Sequence, residues 1–254
     1  MLLGILQGLT EFLPVSSSGH LALAQHLGFG GAGDAPGAVA FDILLHVATL
    51  LVVVQTFWRE IRRVLGGDRI VLGFLALGTL PAIAVGLSGR DFIVDGLRQS
   101  PFAVCGALLV TAGFLFACDR KEALQRRMAG LGVSGTLVVG LGQALALVPG
   151  VSRSGLTITG GVFAGLSRDE AVRFSFLLMI PAVACAAGYD LLKSPESWRA
   201  LPAGPAAAGF VAALASGFVA LQFVKVMATQ RRLGVFVVYL LVAGGGGFLY
   251  FALR

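Results

Sequence analysis

Residues 7–20 read QGLTEFLPVSSSGH and decide the fold, because they place polar and helix-breaking residues inside an apolar N-terminal region. The stretch carries a carboxylate at Glu11, three consecutive hydroxyls after Pro14 and an imidazole at His20. Proline removes a backbone donor and clashes with the preceding helical turn, while serine and glycine compete with helical hydrogen bonding. The sequence therefore predicts a helix that breaks near Pro14 and resumes behind the serines.

The regions around this break have the composition of a membrane protein. Of the 254 residues, 57% are apolar and 13% are charged, whereas a soluble domain carries about 25% charged residues. Apolar stretches long enough to cross a hydrocarbon core about 30 Å thick as helices occur at about residues 39–58, 70–87, 101–117, 174–192, 206–224 and 235–253. Continuous apolar runs lack the alternation of a β-barrel, and open sheets cannot satisfy their backbone in lipid. The predicted fold class is an all-α polytopic membrane protein with six transmembrane helices.

A second apolar region, residues 133–165, is broken in the same way at residues 149–155, PGVSRSG. We expect this region and residues 1–29 to be re-entrant helical hairpins. A shift of 136 (155 minus 19) aligns them without a gap, and it pairs Gly4 with Gly140, Gln7 with Gln143, Leu9 with Leu145, Val15 with Val151, Ser16 with Ser152, Ser18 with Ser154 and Gly19 with Gly155. The predicted spans recur at nearly the same offset.

The repeating unit is therefore one hairpin plus three spans. Because it crosses the membrane an odd number of times, its second copy is inverted, and inverted repeats place broken helices near the bilayer midplane, where substrate sites form. The sequence predicts one membrane domain over residues 1–254. It divides into a first repeat at about 1–117, a cytoplasmic connector at about 118–132 and a second repeat at about 133–254.

The basic residues indicate topology, because they are confined to short connectors between apolar runs. Although the net charge is +6, this placement argues against a nucleic-acid partner. The basic clusters follow the first, third and fifth spans and comprise Arg59, Arg62, Arg63, Arg120, Lys121, Arg126, Arg127, Lys225, Arg231 and Arg232. Short loops rich in Lys and Arg favour the cytoplasm. We expect the loops at 88–100, with Arg90 and Arg98 balanced by Asp91 and Asp95, and at 193–204 to face outward.

Glu11 and Arg153 are charges at predicted membrane depth. Each costs about 2.5–3.5 kcal/mol at a helix centre and so needs a partner or a function. A structural ion pair is one explanation. The other is an anion site, because the Arg fork binds phosphate and helix starts favour anions. Glu11 would then repel a bare phosphate unless a cation such as Mg²⁺ or Ca²⁺ lay between them. Carboxylate, guanidinium, hydroxyl and imidazole together fit phosphoryl transfer.

The two broken segments resemble the signature motifs of the undecaprenyl-diphosphatase family, the bacitracin-resistance type of membrane phosphatase. The resemblance covers essentially the whole chain, including Phe41 and Asp42 before His46. It implies hydrolysis of undecaprenyl diphosphate to undecaprenyl phosphate and phosphate, which recycles the lipid carrier for cell-wall synthesis and gives bacitracin resistance. It also implies a divalent cation and a site in the bacterial inner membrane that opens to the periplasmic side.

Carried over by position, the resemblance implies a role for each motif residue. Glu11 belongs to the acidic metal-associated motif, Ser17 is the nucleophile, His20 is its proton-transfer partner and Arg153 clamps the phosphate. The phosphate site is lined by Ser16, Ser18, Ser152, Ser154 and Thr157. Where some relatives have a second acidic residue, this chain has Gln7, which we expect to be a neutral metal ligand or hydrogen-bonding group. Asp42 and His46 share a helix face and are expected to support the site.

Two alternatives stay open on the sequence alone. A lipid-phosphate transporter or flippase would share the inverted repeat and broken helices, whereas a purely structural subunit would leave the intramembrane charges unexplained. Within the enzyme interpretation, Ser17 attacks phosphorus with His20 as base, or a metal-bound water attacks and Ser17 only binds phosphate. The expected partners are the polyprenyl diphosphate, membrane lipids and, in a homodimer, a second copy of the chain.

Overall fold

A computed structural model describes residues 1–28, 37–89 and 96–254, and over these residues the secondary structure is helical apart from one β-bridge between Arg126 and Leu166. Arg90, Asp91 and Asp95 of the predicted outer loop, and the end of the first broken region, lie outside the described residues. The α-helices are α1 (Leu2–Phe12), α2 (Ser17–His26), α3 (Ala38–Thr56), α4 (Trp58–Leu65), α5 (Arg69–Ser88), α6 (Pro101–Arg120), α7 (Gly132–Leu145), α8 (Arg153–Phe163), α9 (Arg168–Lys193), α10 (Pro195–Arg199), α11 (Ala203–Thr229) and α12 (Gly234–Ala252).

The prediction of six membrane-spanning helices is confirmed. In the described part of the chain, the helices long and apolar enough to cross a membrane are α3, α5, α6, α9, α11 and α12. The largest difference in position is at α9, which was predicted to begin near residue 174 and begins at Arg168. Its start is set by the Ser167 side chain, which accepts a hydrogen bond from the Glu170 amide. The helix therefore begins about 1.7 turns before its apolar part, since 174 minus 168 is six residues.

Both broken segments are helix–break–helix units in which a serine caps the second helix. The Ser16 hydroxyl caps α2 by accepting from the Gly19 amide at 3.3 Å, and the Ser152 hydroxyl caps α8 by accepting from the Gly155 amide at 3.1 Å. In each unit the two helices pack against one another, α1 on α2 and α7 on α8. Serine is a preferred N-cap because its oxygen satisfies an amide that the first turn leaves unpaired. The predicted breaks are therefore confirmed.

The basic connectors meet at one end of the molecule. The Arg231 guanidinium donates to the Lys121 carbonyl at 3.2 Å, and that of Arg168 donates to the same carbonyl at 3.0 Å. Arg173, one turn into α9, forms an ion pair with Glu60 of α4 at 2.6 Å. These contacts bring together the segments that follow α3, α6 and α11. The basic clusters thus lie on a common face, as the charge pattern requires.

Three buried aromatic rings pack against one another close to the first break. The centroids of Phe12 and Phe57 lie 5.7 and 6.0 Å from that of Phe176 in α9. All three side chains are fully or almost fully buried. Aromatic contacts of this kind add packing free energy to the burial of the rings. They form an apolar cluster that joins α1, the residue after α3 and α9.

Candidate active site

Glu11 is the point at which the two breaks meet. It lies in the last turn of α1 and is 8% exposed. Its Oε1 accepts a hydrogen bond from Arg153 Nη2 at 2.7 Å, and its Oε2 accepts from Ser17 Oγ at 2.6 Å and from Gln7 Nε2 at 3.1 Å. The structure therefore joins the predicted carboxylate, hydroxyl and guanidinium in one cluster.

Ser17 and Arg153 reach Glu11 because each is the first residue of the helix that follows a break. The breaks are also joined directly: Ser16 Oγ donates to the Val151 carbonyl at 3.3 Å, and Ser154 Oγ donates to the Leu13 carbonyl at 3.3 Å. These bonds satisfy the carbonyl oxygens of Val151 and Leu13, which lie outside the helices, and buried backbone oxygens need such partners. The site is therefore held by reciprocal contacts between the first and second halves of the chain.

The close approach of the breaks depends on Gly19. A Cβ at Gly19 would lie 2.7 Å from the Gly150 Cα, far inside van der Waals contact with main chain. Only a residue without a side chain fits between these backbones. The glycine that follows the serine run is thus part of the geometry that brings Ser17 near Arg153.

A cavity of about 430 Å³ opens beside this cluster. At its polar end it is lined by Thr10, Glu11, Ser16, Ser17, Ser18, His46, Gln143, Ser152 and Arg153. Its remaining walls come mainly from apolar residues of α5, of α9 and of the segment that follows α7. The volume lies within the about 300–1,000 Å³ of small-molecule sites. The cavity therefore has room for a ligand with a polar head and an apolar tail.

Arg153 has an unused hydrogen-bond donor although it is paired with Glu11. Its side chain is 16% exposed, and the buried Nη1 has no hydrogen-bond partner among the described residues. The guanidinium carbon lies 5.8 Å from the centre of the Phe176 ring. A guanidinium presents five donors in a planar fork. Arg153 is thus able to hold an oxyanion and Glu11 together, so the structural ion pair and the phosphate clamp are compatible.

His20 does not face Ser17. Its Nδ1 lies 2.7 Å from the Ser16 carbonyl, and its Nε2 lies 2.6 Å from the hydroxyl of Tyr239 in α12, on which the imidazole stacks. It does not line the cavity. A carbonyl only accepts, so Nδ1 carries the proton and Nε2 is occupied by the Tyr239 hydroxyl. The expected contact between Ser17 and His20 is not formed in this arrangement, and the role of His20 as base stays a prediction.

His46 comes closer to Glu11 than the sequence analysis anticipated. Its Nε2 lies 3.5 Å from Glu11 Oε2, and its Nδ1 lies 2.8 Å from the Asp42 carbonyl one turn earlier in α3. The Asp42 carboxylate itself pairs with Arg98 at 2.7 Å. The spacing of Asp42 and His46 revealed their shared face, but only the packing of α3 against α1 shows that His46 reaches the site.

Two of the predicted phosphate-site residues, Ser154 and Thr157, do not line the cavity. Thr157 donates to the Arg153 carbonyl at 2.7 Å and lies 2.6 Å from the hydroxyl of Ser175, and it does not line the cavity. Ser154 is likewise absent from the lining and binds the first break. The structure thus places both residues where they hold α8 and Arg153 in position.

Gln7 and Glu11 are the residues that could hold a cation. Because a carboxylate only accepts, Gln7 turns its amide nitrogen to Glu11, which leaves Gln7 Oε1 buried without a partner in the described part of the chain. No group of three or more His, Cys, Asp or Glu within the described residues is arranged to hold a metal ion. Mg²⁺ commonly binds one or two carboxylates together with substrate phosphate oxygens. Glu11 lines the cavity and so fits a cation of that type, whereas the free amide oxygen of Gln7 is buried outside the lining, and Gln7 as a ligand stays a prediction.

The fold and the cluster together define a multi-pass membrane protein with an internal, partly charged site suited to phosphoryl transfer. Residues 1–246 match the family described as bacitracin resistance protein BacA. The chain is 37% identical over 239 residues to the undecaprenyl-diphosphatase of Thermodesulfovibrio yellowstonii, covering 94% of this chain and 91% of that protein. It is 40% identical over 266 residues to that of Syntrophotalea carbinolica, covering 100% and 97%. The chain belongs to the bacitracin resistance protein BacA family.

Proposed function

We propose that this protein hydrolyses undecaprenyl diphosphate to undecaprenyl phosphate and inorganic phosphate. The observation that carries the proposal is the Ser17–Glu11–Arg153 cluster at the polar end of a cavity with apolar walls. Relatives that cover almost the whole chain are named for this activity. The reaction returns the lipid carrier to cell-wall synthesis and accounts for bacitracin resistance.

The architecture we propose is an inverted repeat with two re-entrant hairpins. Its support is the packing of equivalent helices: α1 of the first half packs on α11, and the aligned α7 packs on α5, which corresponds to α11. The aligned Gly4 and Gly140 both face main chain, that of Gly209 and that of Gly78 respectively. α1, α2, α7 and α8 have 10 to 14 residues each, below the about 20 needed to span a bilayer.

The site opens to the periplasmic side of the inner membrane in our proposal. The cavity runs past Leu87, near the end of α5, to Tyr189 and Asp190, near the end of α9. The basic clusters lie at the opposite end of α9, beside Arg168. Basic loops favour the cytoplasm, so the cavity mouth faces outward.

Cysteine labelling in intact cells tests this orientation. In a Cys185→Ser background, a Gln125→Cys variant in the basic connector should react only after permeabilisation, whereas Ser197→Cys in α10 should react with a membrane-impermeant maleimide from outside. Outside labelling of Gln125→Cys would contradict the orientation. The hydrolytic activity of both variants serves as the control for folding.

The substrate fits the cavity with its diphosphate at the polar end. Arg153 and the serine hydroxyls supply donors for the terminal phosphate. The first isoprene units then lie along the apolar walls formed by Ile83 and Leu87 of α5, Leu147 after α7, and Met179 and Val183 of α9. Burial of the prenyl chain there adds binding free energy that a free phosphate does not gain. This arrangement accounts for a polar site with mainly apolar surroundings.

In the proposed mechanism Ser17 Oγ attacks the terminal phosphorus. The Oγ–P bond forms as the bond to the bridging oxygen breaks, and undecaprenyl phosphate leaves with that electron pair. The Ser17 proton passes to Glu11 Oε2, 2.6 Å away. Glu11 gives it up to solvent, takes a proton from the water that attacks the phosphoserine, and returns it to Oγ as the P–Oγ bond breaks. One proton is released per turnover, and a positioned nucleophile and base divide a difficult step into two.

The hydrogen bond from Ser17 favours Glu11 over His20 as the first proton acceptor. His20 would have to leave the Ser16 carbonyl and Tyr239 before it could reach Ser17. Arg153 stays charged throughout and stabilises the charge that develops on the phosphoryl oxygens. Gln7 and Glu11 would hold the Mg²⁺ or Ca²⁺. When bound, that cation would neutralise phosphate charge.

Phosphate release by the purified protein tests the function directly. In detergent, the wild type should release one phosphate per undecaprenyl diphosphate, and a chelator should reduce the rate. Arg153→Met should lose activity by about 100-fold or more, because one donor to developing charge is worth that factor. Arg199→Met, at a 75% exposed side chain, is the matched control. Translocation without hydrolysis in proteoliposomes would instead favour the transporter.

A further inference from the structure

Gln143 is a buried polar residue that none of the steps above uses. It lies in α7, is 3% exposed, and lines the cavity together with Arg153. Neither its Nε2 nor its Oε1 has a hydrogen-bond partner among the described residues. A buried amide without partners costs free energy, and groups of this kind in native proteins call for a specific explanation.

The aligned residue of the first half shows why Gln143 is left unpaired. Gln7 donates to Glu11 one helical turn later. In the second half the residue one turn after Gln143 is Leu147, which offers no acceptor. The amide is therefore not used within its own half of the chain, although α7 packs closely on the first turn of α8, which begins with Arg153. A Cβ at Gly142 would lie 3.3 Å from the Leu156 carbonyl.

The chemistry of the unpaired groups indicates the ligand. Arg153 lines the same cavity, and its Nη1 is also a buried donor without a partner in the described part of the chain. Two donors from α7 and α8 beside one polar cavity fit an anion with several oxygens, and amide and guanidinium nitrogens both donate to phosphate. Gln143 Oε1 requires a donor, which a water bound to the same phosphate supplies.

We propose that Gln143 binds the diphosphate headgroup, with Nε2 donating to a phosphate oxygen and Oε1 accepting from a water that hydrates it. The inference deepens the proposed diphosphatase function and rests on it, because it assigns a further contact in that site. The second half of the chain then contributes both a charged and a neutral donor to the substrate. Gln143 acts in binding, as a partner of Arg153, and takes no part in proton transfer.

The test compares two replacements of Gln143 that keep its size. Gln143→Met removes both polar atoms, and Gln143→Glu replaces the donor with a carboxylate that repels the diphosphate. The same replacement at an exposed glutamine of α11, Gln222→Met, is the matched control outside the cavity. The probe is methylenediphosphonate, a non-hydrolysable diphosphate headgroup, titrated into the full-length protein in detergent by calorimetry.

We expect Gln143→Met to raise the Kd of methylenediphosphonate about 10-fold or more, which is the value of a hydrogen bond to a charged group. Gln143→Glu should weaken binding further, and Gln222→Met should leave it within about twofold of wild type. In the ligand-free state Gln143→Met should unfold at or above the wild-type temperature, because no hydrogen bond is lost there. In hydrolysis assays it should raise KM more than it lowers kcat.

Wild-type affinity and KM in Gln143→Met would overturn the inference and show that the amide is unpaired without a ligand. If that variant does not fold, Gln143→Glu carries the same comparison, and wild-type binding by it would overturn the inference equally. Failure of the proposed function looks different: the wild type would release no phosphate from undecaprenyl diphosphate. A wild type that hydrolyses the lipid while the Gln143 variants bind normally would leave the function standing and remove only this contact.

Discussion

The two helix breaks share a local structure and differ in chemistry. In the first, Ser16 caps α2 and lies 3.3 Å from the Ser18 hydroxyl; in the second, Ser152 caps α8 and lies 3.3 Å from that of Ser154. The charges are not repeated. Glu11 aligns with Leu147, and Arg153 aligns with Ser17. Each half therefore supplies one charge and the halves are complementary, so a repeated scaffold produces a single asymmetric site at its interface.

The backbone of the two breaks also differs at one residue. Ser16 has a φ of 71°, whereas Ser152 has a φ of −81°. In the second break the positive φ, 99°, falls on Gly150 instead. Positive φ is unfavourable for a residue with a side chain and is tolerated by glycine. The first break, which carries the proposed nucleophile, is thus the more strained of the two.

The largest expected effect comes from removing the hydroxyl that is unique to the first break. Ser17→Ala should reduce phosphate release by more than about 1,000-fold if Ser17 is the nucleophile, but by about 10-fold if it supplies one hydrogen bond worth about 1.5 kcal/mol. The measurement is kcat of the folded variant with undecaprenyl diphosphate. Retention of a tenth of the wild-type rate would contradict the covalent mechanism and favour attack by water.

The pairing of charges across the two breaks is tested by removing one partner or both. Arg153→Met leaves the buried Glu11 carboxylate without its guanidinium partner and should destabilise the protein by up to about 3–5 kcal/mol. The double variant Glu11→Gln/Arg153→Met should recover most of that stability and no activity. Thermal unfolding in detergent measures the difference, and equal unfolding temperatures for single and double variants would show that the pair does not hold the breaks together.

Glu11→Gln alone separates the roles of the carboxylate. It should reduce turnover by about 100-fold to 10,000-fold, because it removes the acceptor of the Ser17 proton, and the residual turnover should depend less on a divalent cation. Titration of activity against Mg²⁺ in wild type and variant provides the readout. Turnover with an unchanged cation requirement would show that Glu11 is not a ligand.

The difference in backbone strain predicts unequal effects of the same substitution at the two caps. Replacing a serine N-cap by glycine ordinarily costs a few tenths of a kcal/mol. Ser152→Gly should follow that rule. The change in free energy of unfolding caused by Ser16→Gly should be about 1 kcal/mol more favourable than that caused by Ser152→Gly, because glycine accepts the positive φ without strain. Apparent unfolding temperatures of both variants check this, and equal changes would mean that Ser16 is not strained.

The smallest expected effect concerns the cavity wall at Cys185, because the aligned position in the first half does not line the cavity. Cys185 of α9 is exposed and lines the cavity, while the aligned Thr49 of α3 is fully buried. Undecaprenyl phosphate should slow maleimide labelling of Cys185 several-fold, and methylenediphosphonate alone should not. Thr49→Cys in a Cys185→Ser background should react slowly with or without lipid. Labelling of Cys185 that is insensitive to the lipid would place the prenyl chain elsewhere.

Much of the fold could be predicted from local features of the sequence. The six spans follow from length and apolarity, and the two breaks follow from Pro14, Gly150 and the serine runs beside them. The exact start of α9 was missed because a polar first turn capped by Ser167 does not register as apolar sequence. Glu11 and Arg153 were recognised because intramembrane charges are costly and both lie beside breaks, whereas the role of Ser17 followed from the resemblance to the family.

The partners of these residues were decided only by tertiary structure. The sequence placed His20 three positions from Ser17, but its imidazole stacks on Tyr239, 219 residues away, and Ser17 turns to Glu11 instead. His46 reaches Glu11 because α3 packs against α1. Gln143 stays unpaired because the residue one helical turn later, Leu147, offers no acceptor. Helices and breaks arise from hydrogen bonds and steric effects between near neighbours, which the sequence determines. The choice of a polar partner depends on which side chains the packed helices bring within about 3 Å.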